Sequence, residues 1–332
     1  MPKEIRVAIV GATGYGGAEL VRLLASHPFA RVTTVTSERR AGSPLNSECP
    51  WLSTDLVLEN FDAARIDADV VFLAQEAGFA MSCAGSLLSK AKVIDLSADF
   101  RLRDKDQYEA TYRRKWDAPG LTETPVYGLP EAGHREAIRS ASLVANPGCH
   151  STNTVLGLKP VVLFLTGIPV VDSKSGVSGA GRSRQESDYL FSEITGGFKA
   201  YAVTGHRHIP EIEQEVGKKI RFTPHLMPTS RGIYSTIHAP VSSVERAMTA
   251  LKQAYEGETF VRLVDQVPST KQVQGSNRVD VHVTADSHTD FLVISVVQDN
   301  LIKGAAGQAI QNMNLMFGFD EDAGLPTQGV WP

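Results

Sequence analysis

The apolar run Ile5 to Val10 empties into Gly11-Ala12-Thr13-Gly14-Tyr15-Gly16-Gly17, and Ala18 to Ser26 then has helical periodicity. A strand, a glycine turn and a helix in that order point to a βαβ unit, because parallel strands need a crossover connection. The alternation continues. Strands are expected at Arg31 to Thr36, Val70 to Ala74, Val93 to Leu96 and Leu143 to Ala145. Right-handed crossovers would wind them into a doubly wound parallel sheet. Further on the pattern changes. Strand-like runs cluster at Ile168 to Asp172, Ile233 to Ala239, Phe260 to Val264, Val279 to Thr284 and Phe291 to Val297. Helical patterns lie at Pro210 to Val216 and Val244 to Tyr255. This predicts an α+β insert with a mostly antiparallel sheet. A last helical run, Gly304 to Leu315, returns to the first layer. The expected division is residues 1–149 plus 304–332 for a nucleotide-binding domain and 150–303 for a catalytic one.

A chain of 332 residues has length for two domains, and 42% apolar with 21% charged residues is ordinary for a globular protein. A net charge of −4 offers no basic field for nucleic acid or an anionic membrane. No apolar run is long enough to span a bilayer, and the N-terminus enters a strand without a signal-peptide core. Cys49, Cys83 and Cys149 have neither metal-ligand spacing nor the even count of a disulfide framework. The expectation is a cytoplasmic protein.

The glycine turn has G-x-x-G-x-x-G spacing rather than the strict dinucleotide fingerprint. Its glycines would let the backbone approach a pyrophosphate, and the helix behind supplies N–H donors and a favourable dipole. The strand before and the helix after favour nucleotide binding over a plain tight turn. An NAD site usually ends its second strand in an acid that binds the ribose 2′-hydroxyl. Here that strand runs into Thr36-Ser37-Glu38-Arg39-Arg40, and a hydroxyl with two arginines suits the 2′-phosphate of NADP. Glu38 is dissonant and is expected to point away.

Asn146-Pro147-Gly148-Cys149 puts a lone thiol between the last strand of the first series and a helix expected over His150 to Leu165. A cysteine at a helix start faces unpaired N–H groups and the positive end of the dipole, both of which favour the nucleophilic thiolate. From this segment alone, a buried structural cysteine is an equal reading. Other segments add chemistry. Ser175 to Arg182 is a small-residue loop, read either as an anion nest or as a plain hairpin loop. Thr204 to Glu211 sets His206, Arg207 and His208 before a helix that Pro210 would begin, and histidine is the usual acid/base near neutral pH. Ser97 to Arg101 follows a strand end, where ligands sit in such sheets. The histidines lack a third ligand, so no metal is expected.

Together these segments resemble the N-acetyl-gamma-glutamyl-phosphate reductase family (type 1) of arginine biosynthesis, over essentially the whole chain. The likeness also takes in Val126 to Glu131, Gln274 to Asn277 and Asp299 to Gln311. It implies a semialdehyde dehydrogenase-like α/β fold: a Rossmann-type sheet with an inserted α+β catalytic and dimerisation domain. It implies NADPH-dependent reduction of N-acetyl-glutamyl 5-phosphate through a Cys149 thioester, with His206 or His208 as acid/base. Substrate contacts map onto Arg101, Ser178, Arg182 and Glu211. Cofactor contacts map onto Gly11, Thr13, Gly14, Tyr15, Gly16, Ser37, Arg39, Arg40 and Asn314. A homo-oligomer, dimer or tetramer, is expected, and no nucleic-acid or membrane partner.

One departure stands beside the cysteine. The family often has an aromatic there, and this chain has His150, which changes the pocket's shape or adds a base. The related lysine-pathway reductase, acting on a carrier-protein-linked aminoadipyl phosphate, would share the His-Arg-His segment. Its rival standing is reduced by Asn146 to Cys149 and Ser178 to Arg182. Aspartate-semialdehyde dehydrogenase usually carries glutamine after an Asn-Cys pair, absent here. A non-catalytic NADP-binding protein would not need Cys149, His206 and His208 together.

Overall fold

In the computed structural model, which describes residues 3–183, 186, 189–286 and 288–330, the first series of apolar runs forms one parallel sheet. Its strands are β1 (Ile5–Val10), β2 (Ala30–Thr36), β3 (Leu58–Glu59), β4 (Val70–Leu73), β5 (Lys92–Asp95), β6 (Val126–Tyr127) and β7 (Leu143–Ala145). They lie in the order β3-β2-β1-β4-β5-β7-β6. All pairs are parallel. β4 and β7 are buried at every residue, as strands covered on both faces must be. The order reverses between β1 and β4, which places a ligand crevice at their carboxyl ends. Gly11 stands there with φ +92°, and a Cβ on it would strike the Ala74 carbonyl oxygen. Only glycine fits so close a backbone approach.

The second sheet contains β8 (Val170–Gly176), β9 (Lys199–Ala200), β10 (Arg221–Met227), β11 (Ile233–Pro240), β12 (Val261–Leu263), β13 (Val279–Asp286) and β14 (Phe291–Gln298). Their order is β12-β13-β14-β11-β8-β10-β9. β8–β10 and β12–β13 are parallel and the other pairs antiparallel. The helix Cys149–Leu158 packs on β11 and β14. At Gly157 a Cβ would stand 3.1 Å from Val296 Cγ2 of β14, so a larger residue would push the helix off the sheet.

The expected helix over His150 to Leu165 is a correction. The α-helix ends at Leu158, and Lys159–Phe164 continue as 3₁₀ turns. Pro160 has no N–H to return to the Leu156 carbonyl. The Tyr255 hydroxyl donates to that oxygen instead.

The chain divides into two compact units, Met1–Pro147 with Ala305–Leu325, and Gly148–Gly304 with Pro326–Pro332. The tail therefore departs from the expected division. The Asn277 N–H donates to the Pro326 carbonyl and the Val330 N–H to that of Gln274, each at 2.8 Å. No helix among the described residues is long and apolar enough to cross a membrane.

Candidate active site

Cys149 is the first residue of its helix, with Gly148 as the extended N-cap. Three contacts fix this turn. The Gly148 N–H donates to the Glu211 carboxylate at 2.8 Å, the Gln298 side-chain amide donates to the Cys149 carbonyl at 2.6 Å, and the Thr152 N–H closes the first turn on Gly148 at 2.9 Å. Gly304 completes the fit, because a Cβ there would come 2.8 Å from Cys149 Cβ. Cys149 stays partly exposed, whereas Cys49 and Cys83 are buried.

Cys149 opens onto a cavity of the second unit also lined by His150, Ser175, Tyr201, His206, Arg207 and His208. Gly179 and Ala180 of the 3₁₀ turn after β8 form another wall. His206 and His208 are buried, with ring centroids 4.8 Å apart and nearly perpendicular. The His208 N–H donates to His206 Nδ1 at 3.2 Å, so a neutral His206 carries its proton on Nε2. Burial, with the Arg207 charge behind it, pushes His206 down to about 4. It therefore rests as a neutral imidazole able to accept a proton.

The other expected substrate residues are dispersed. Glu211 is fully buried and spends one oxygen on the Gly148 N–H, which makes it a support of the Cys149 turn. Ser178 accepts from the Asn300 amide at 2.9 Å, and Arg182 is exposed; neither lines the cavity. Arg101, in the first unit, donates to the Asn146 carbonyl at 2.8 Å and the Leu96 carbonyl at 2.9 Å. Sequence reasoning did not single out Tyr201, or Ser173 and Ser235 behind it.

In the first unit, Gly11, Thr13, Gly14, Tyr15 and Gly16 form the turn into the helix Tyr15–Leu24. A Cβ on Gly17 would fall on the Gly11 carbonyl oxygen and 2.8 Å from Ala12 Cα, so the turn is drawn tight. First-turn N–H groups have no intrahelical acceptor and suit a diphosphate. Ser37 is buried beside Thr13, the two hydroxyls 3.4 Å apart, and Arg39 and Arg40 stand exposed after it. These residues fit a nucleotide with a 2′-phosphate. Asn314 is not among them, and the expectation is corrected. Its amide donates to the Glu321 and Ala323 carbonyls at 3.0 Å each, and its oxygen meets His27 Nε2 at 2.9 Å. Asn312 is the asparagine of that helix beside the sheet end, bonded to Gly128 and Asn146.

A parallel nucleotide layer followed by a mixed-sheet unit with a cysteine at a helix start defines a semialdehyde dehydrogenase-type enzyme. The family model "Semialdehyde dehydrogenase, NAD binding domain" matches residues 6–141, and "Semialdehyde dehydrogenase, dimerisation domain" matches 149–300. The fold is shared with aspartate semialdehyde dehydrogenase II of Vibrio cholerae (TM-score 0.69, 19% identity, 95% of this chain and 98% of that one). It is shared too with the Candida albicans aspartate semialdehyde dehydrogenase solved with NADP (TM-score 0.67, 19% identity, 95% of this chain and 98% of that one). Identity is much higher to the N-acetyl-gamma-glutamyl-phosphate reductases of Geotalea daltonii, at 49%, and Desulforamulus reducens, at 45%, each over 99% of this chain and 100% of the relative. The chain belongs to the N-acetyl-gamma-glutamyl-phosphate reductase family.

Proposed function

We propose that this chain reduces N-acetyl-glutamyl 5-phosphate to N-acetyl-glutamate 5-semialdehyde and phosphate, with NADPH as reductant. The observation that carries the reading is Cys149 at the start of a buried helix, in one cavity with His206 and His208. In the first step a C–S bond forms between Cys149 and the acyl carbon while the C–O bond to phosphate breaks. The thiol proton, accepted by a neutral imidazole of the pair, leaves with the phosphate. The Gly11 turn, with Ser37, Arg39 and Arg40, would hold NADPH, which would supply the hydride that takes the thioester to the thiohemiacetal. The C–S bond of the resulting thiohemiacetal then breaks, releasing the aldehyde and the Cys149 thiolate, and a solvent proton restores the resting pair. Covalent catalysis thus divides one hard displacement into easier steps. Glu211 and Gln298 hold the Cys149 turn through its backbone. Arg101, Ser178 and Arg182 are the remaining proposed substrate contacts. The dimerisation-domain match supports a homo-oligomer built through the second unit.

The test runs the reaction backwards. NADP reduction should require both N-acetylglutamate 5-semialdehyde and inorganic phosphate. Cys149→Ser should bind NADPH and lose turnover, while Cys49→Ser and Cys83→Ser stay active. Turnover without phosphate, or in Cys149→Ser, would refute the thioester route. Replacing Arg39 and Arg40 by Ala should weaken NADPH at least about tenfold and leave NADH unchanged, since a charged hydrogen bond contributes roughly 1.5–3 kcal/mol. Equal weakening of both would remove the 2′-phosphate role.

A further inference from the structure

A line of hydrogen bonds runs behind the catalytic cavity, and its far end is anchored on a backbone carbonyl. The Asn153 amide Nδ2 lies 3.0 Å from the Val296 carbonyl oxygen and 2.9 Å from Ser235 Oγ. A carbonyl only accepts, so Nδ2 is the donor to both. Ser235 Oγ is 2.9 Å from Ser173 Oγ, Ser173 Oγ is 2.8 Å from His150 Nδ1, and His150 Nε2 is 3.2 Å from Tyr201 Oη. Ser235 accepts from Asn153 and keeps its own hydrogen for donation, and passing it to Ser173 continues the line in one direction. Ser173 then gives its hydrogen to His150 Nδ1. A neutral imidazole with an accepting Nδ1 carries its proton on Nε2, which donates to Tyr201. The phenol proton of Tyr201 has no acceptor within this line and is left for the cavity that holds Cys149.

The protonation states agree with this direction. His150 is buried, which pushes it down to about 3, with His206 and Arg207 adding to the effect. Burial raises Tyr201, and the neighbouring Cys149 charge raises it further, so the phenol keeps its proton. Asn153, Ser173 and Ser235 are fully buried, so no water competes for the line. The antiparallel register of β8 and β11 sets Ser173 opposite Ser235.

We propose that Tyr201 is a hydrogen-bond donor to the acyl oxygen of the substrate on Cys149, and that His150 is the positioning residue that aims it. The inference rests on the reductase reading above. A preformed donor at the place where an oxyanion develops stabilises the transition state, and a polarised line of bonds strengthens it.

Three variants test this: Tyr201→Phe, His150→Phe and the double replacement, each of which keeps an aromatic ring. NADPH affinity, read by fluorescence, should be unchanged in all three, reporting an intact fold. Loss of one oxyanion donor is expected to lower kcat about 100- to 1000-fold in Tyr201→Phe. His150→Phe should lose activity too, and the double variant should be no worse than Tyr201→Phe alone. Full activity in Tyr201→Phe overturns the proposal. So do losses that multiply in the double variant, because His150 would then act by another route. A second readout needs no turnover: ¹⁵N NMR of histidine-labelled enzyme should show His150 protonated at Nε2 and bare at Nδ1, and the reverse tautomer or an imidazolium overturns the line. A wild type without phosphate-dependent turnover is a separate result, since it removes the reductase reading while the tautomer measurement still decides the line.

Discussion

Protonating His150 or His206 inside the folded chain is costly, and that cost links stability to pH. An exposed imidazole in the unfolded chain titrates near 6.5, whereas His206 is pushed down to about 4 and His150 to about 3. Below the unfolded value the unfolded chain binds protons that the folded chain refuses. Stability is therefore full above about 6.5 and falls with pH through that window, by up to about 1.4 kcal/mol per unit for each group. Asp95 has the opposite sign. Burial first, then the Asp99 charge, raises it to about 7, so it gains stability as pH falls from there toward its unfolded value. A difference between variants isolates one group. The stability gap between wild type and His150→Phe, from urea melts, should shrink steadily from pH 6.5 to 4.5. A constant gap would show that His150 titrates normally. At this scale the candidates Cys149, His206 and His208, which line one cavity, could be picked out because each stands in a short contiguous motif. Ser173 and Ser235 could not, because their pairing arises from β8–β11 register, and Tyr201 and Asn153 join them only through contacts between elements distant in sequence. Asn314 was named in a helix that offers no local signal either. The helix Gly307–Phe317 is buried from Gly307 to Met316, so hydrophobic periodicity cannot tell which face meets the sheet end.

The helix behind Cys149 shows what an element needs to end inside a core. Pro160 leaves the Leu156 carbonyl without its helical donor, and Tyr255, from the helix Val244–Tyr255, supplies one. Tyr255→Phe should strand that buried oxygen and cost about 1–3 kcal/mol in urea unfolding. kcat should stay near the wild-type value, because the change lies at the end of the helix away from Cys149. An unchanged melt would mean that another donor reaches Leu156. Pro160 was the sequence signal for this stop, and the apolar run continuing through Val161 to Leu165 hid it. β10 was also missed. Pro224 interrupts its pattern, and a proline argues against an inner strand. Yet β10 is an inner strand, bounded by β8 and by a short β9 that covers only part of it. The longer runs β1, β2 and β11 were read correctly, because their β-branched residues favour a strand from the local sequence alone.

At the scale of the whole molecule, the chain passes between its two units three times, after Pro147, Gly304 and Leu325. The last passage carries the tail whose carbonyl at Pro326 and N–H at Val330 bond Asn277 and Gln274. A chain ending at Leu325 should exchange the Asn277 amide hydrogen faster by mass spectrometry, with peptides from β4 and β5 unaffected. Equal exchange at Asn277 would show that the tail contributes nothing to the second unit. The tail's position also bears on how such genes recombine. A cassette exchanged between relatives at Pro147 and Gly304 would move all seven strands of the second sheet yet leave its closing segment behind. Every such hybrid would join the Gln274 to Asn277 turn of one parent to a terminal segment chosen for another. Functional chimaeras should therefore need a third crossover after Leu325, and surviving natural mosaics should carry their ends with their middles.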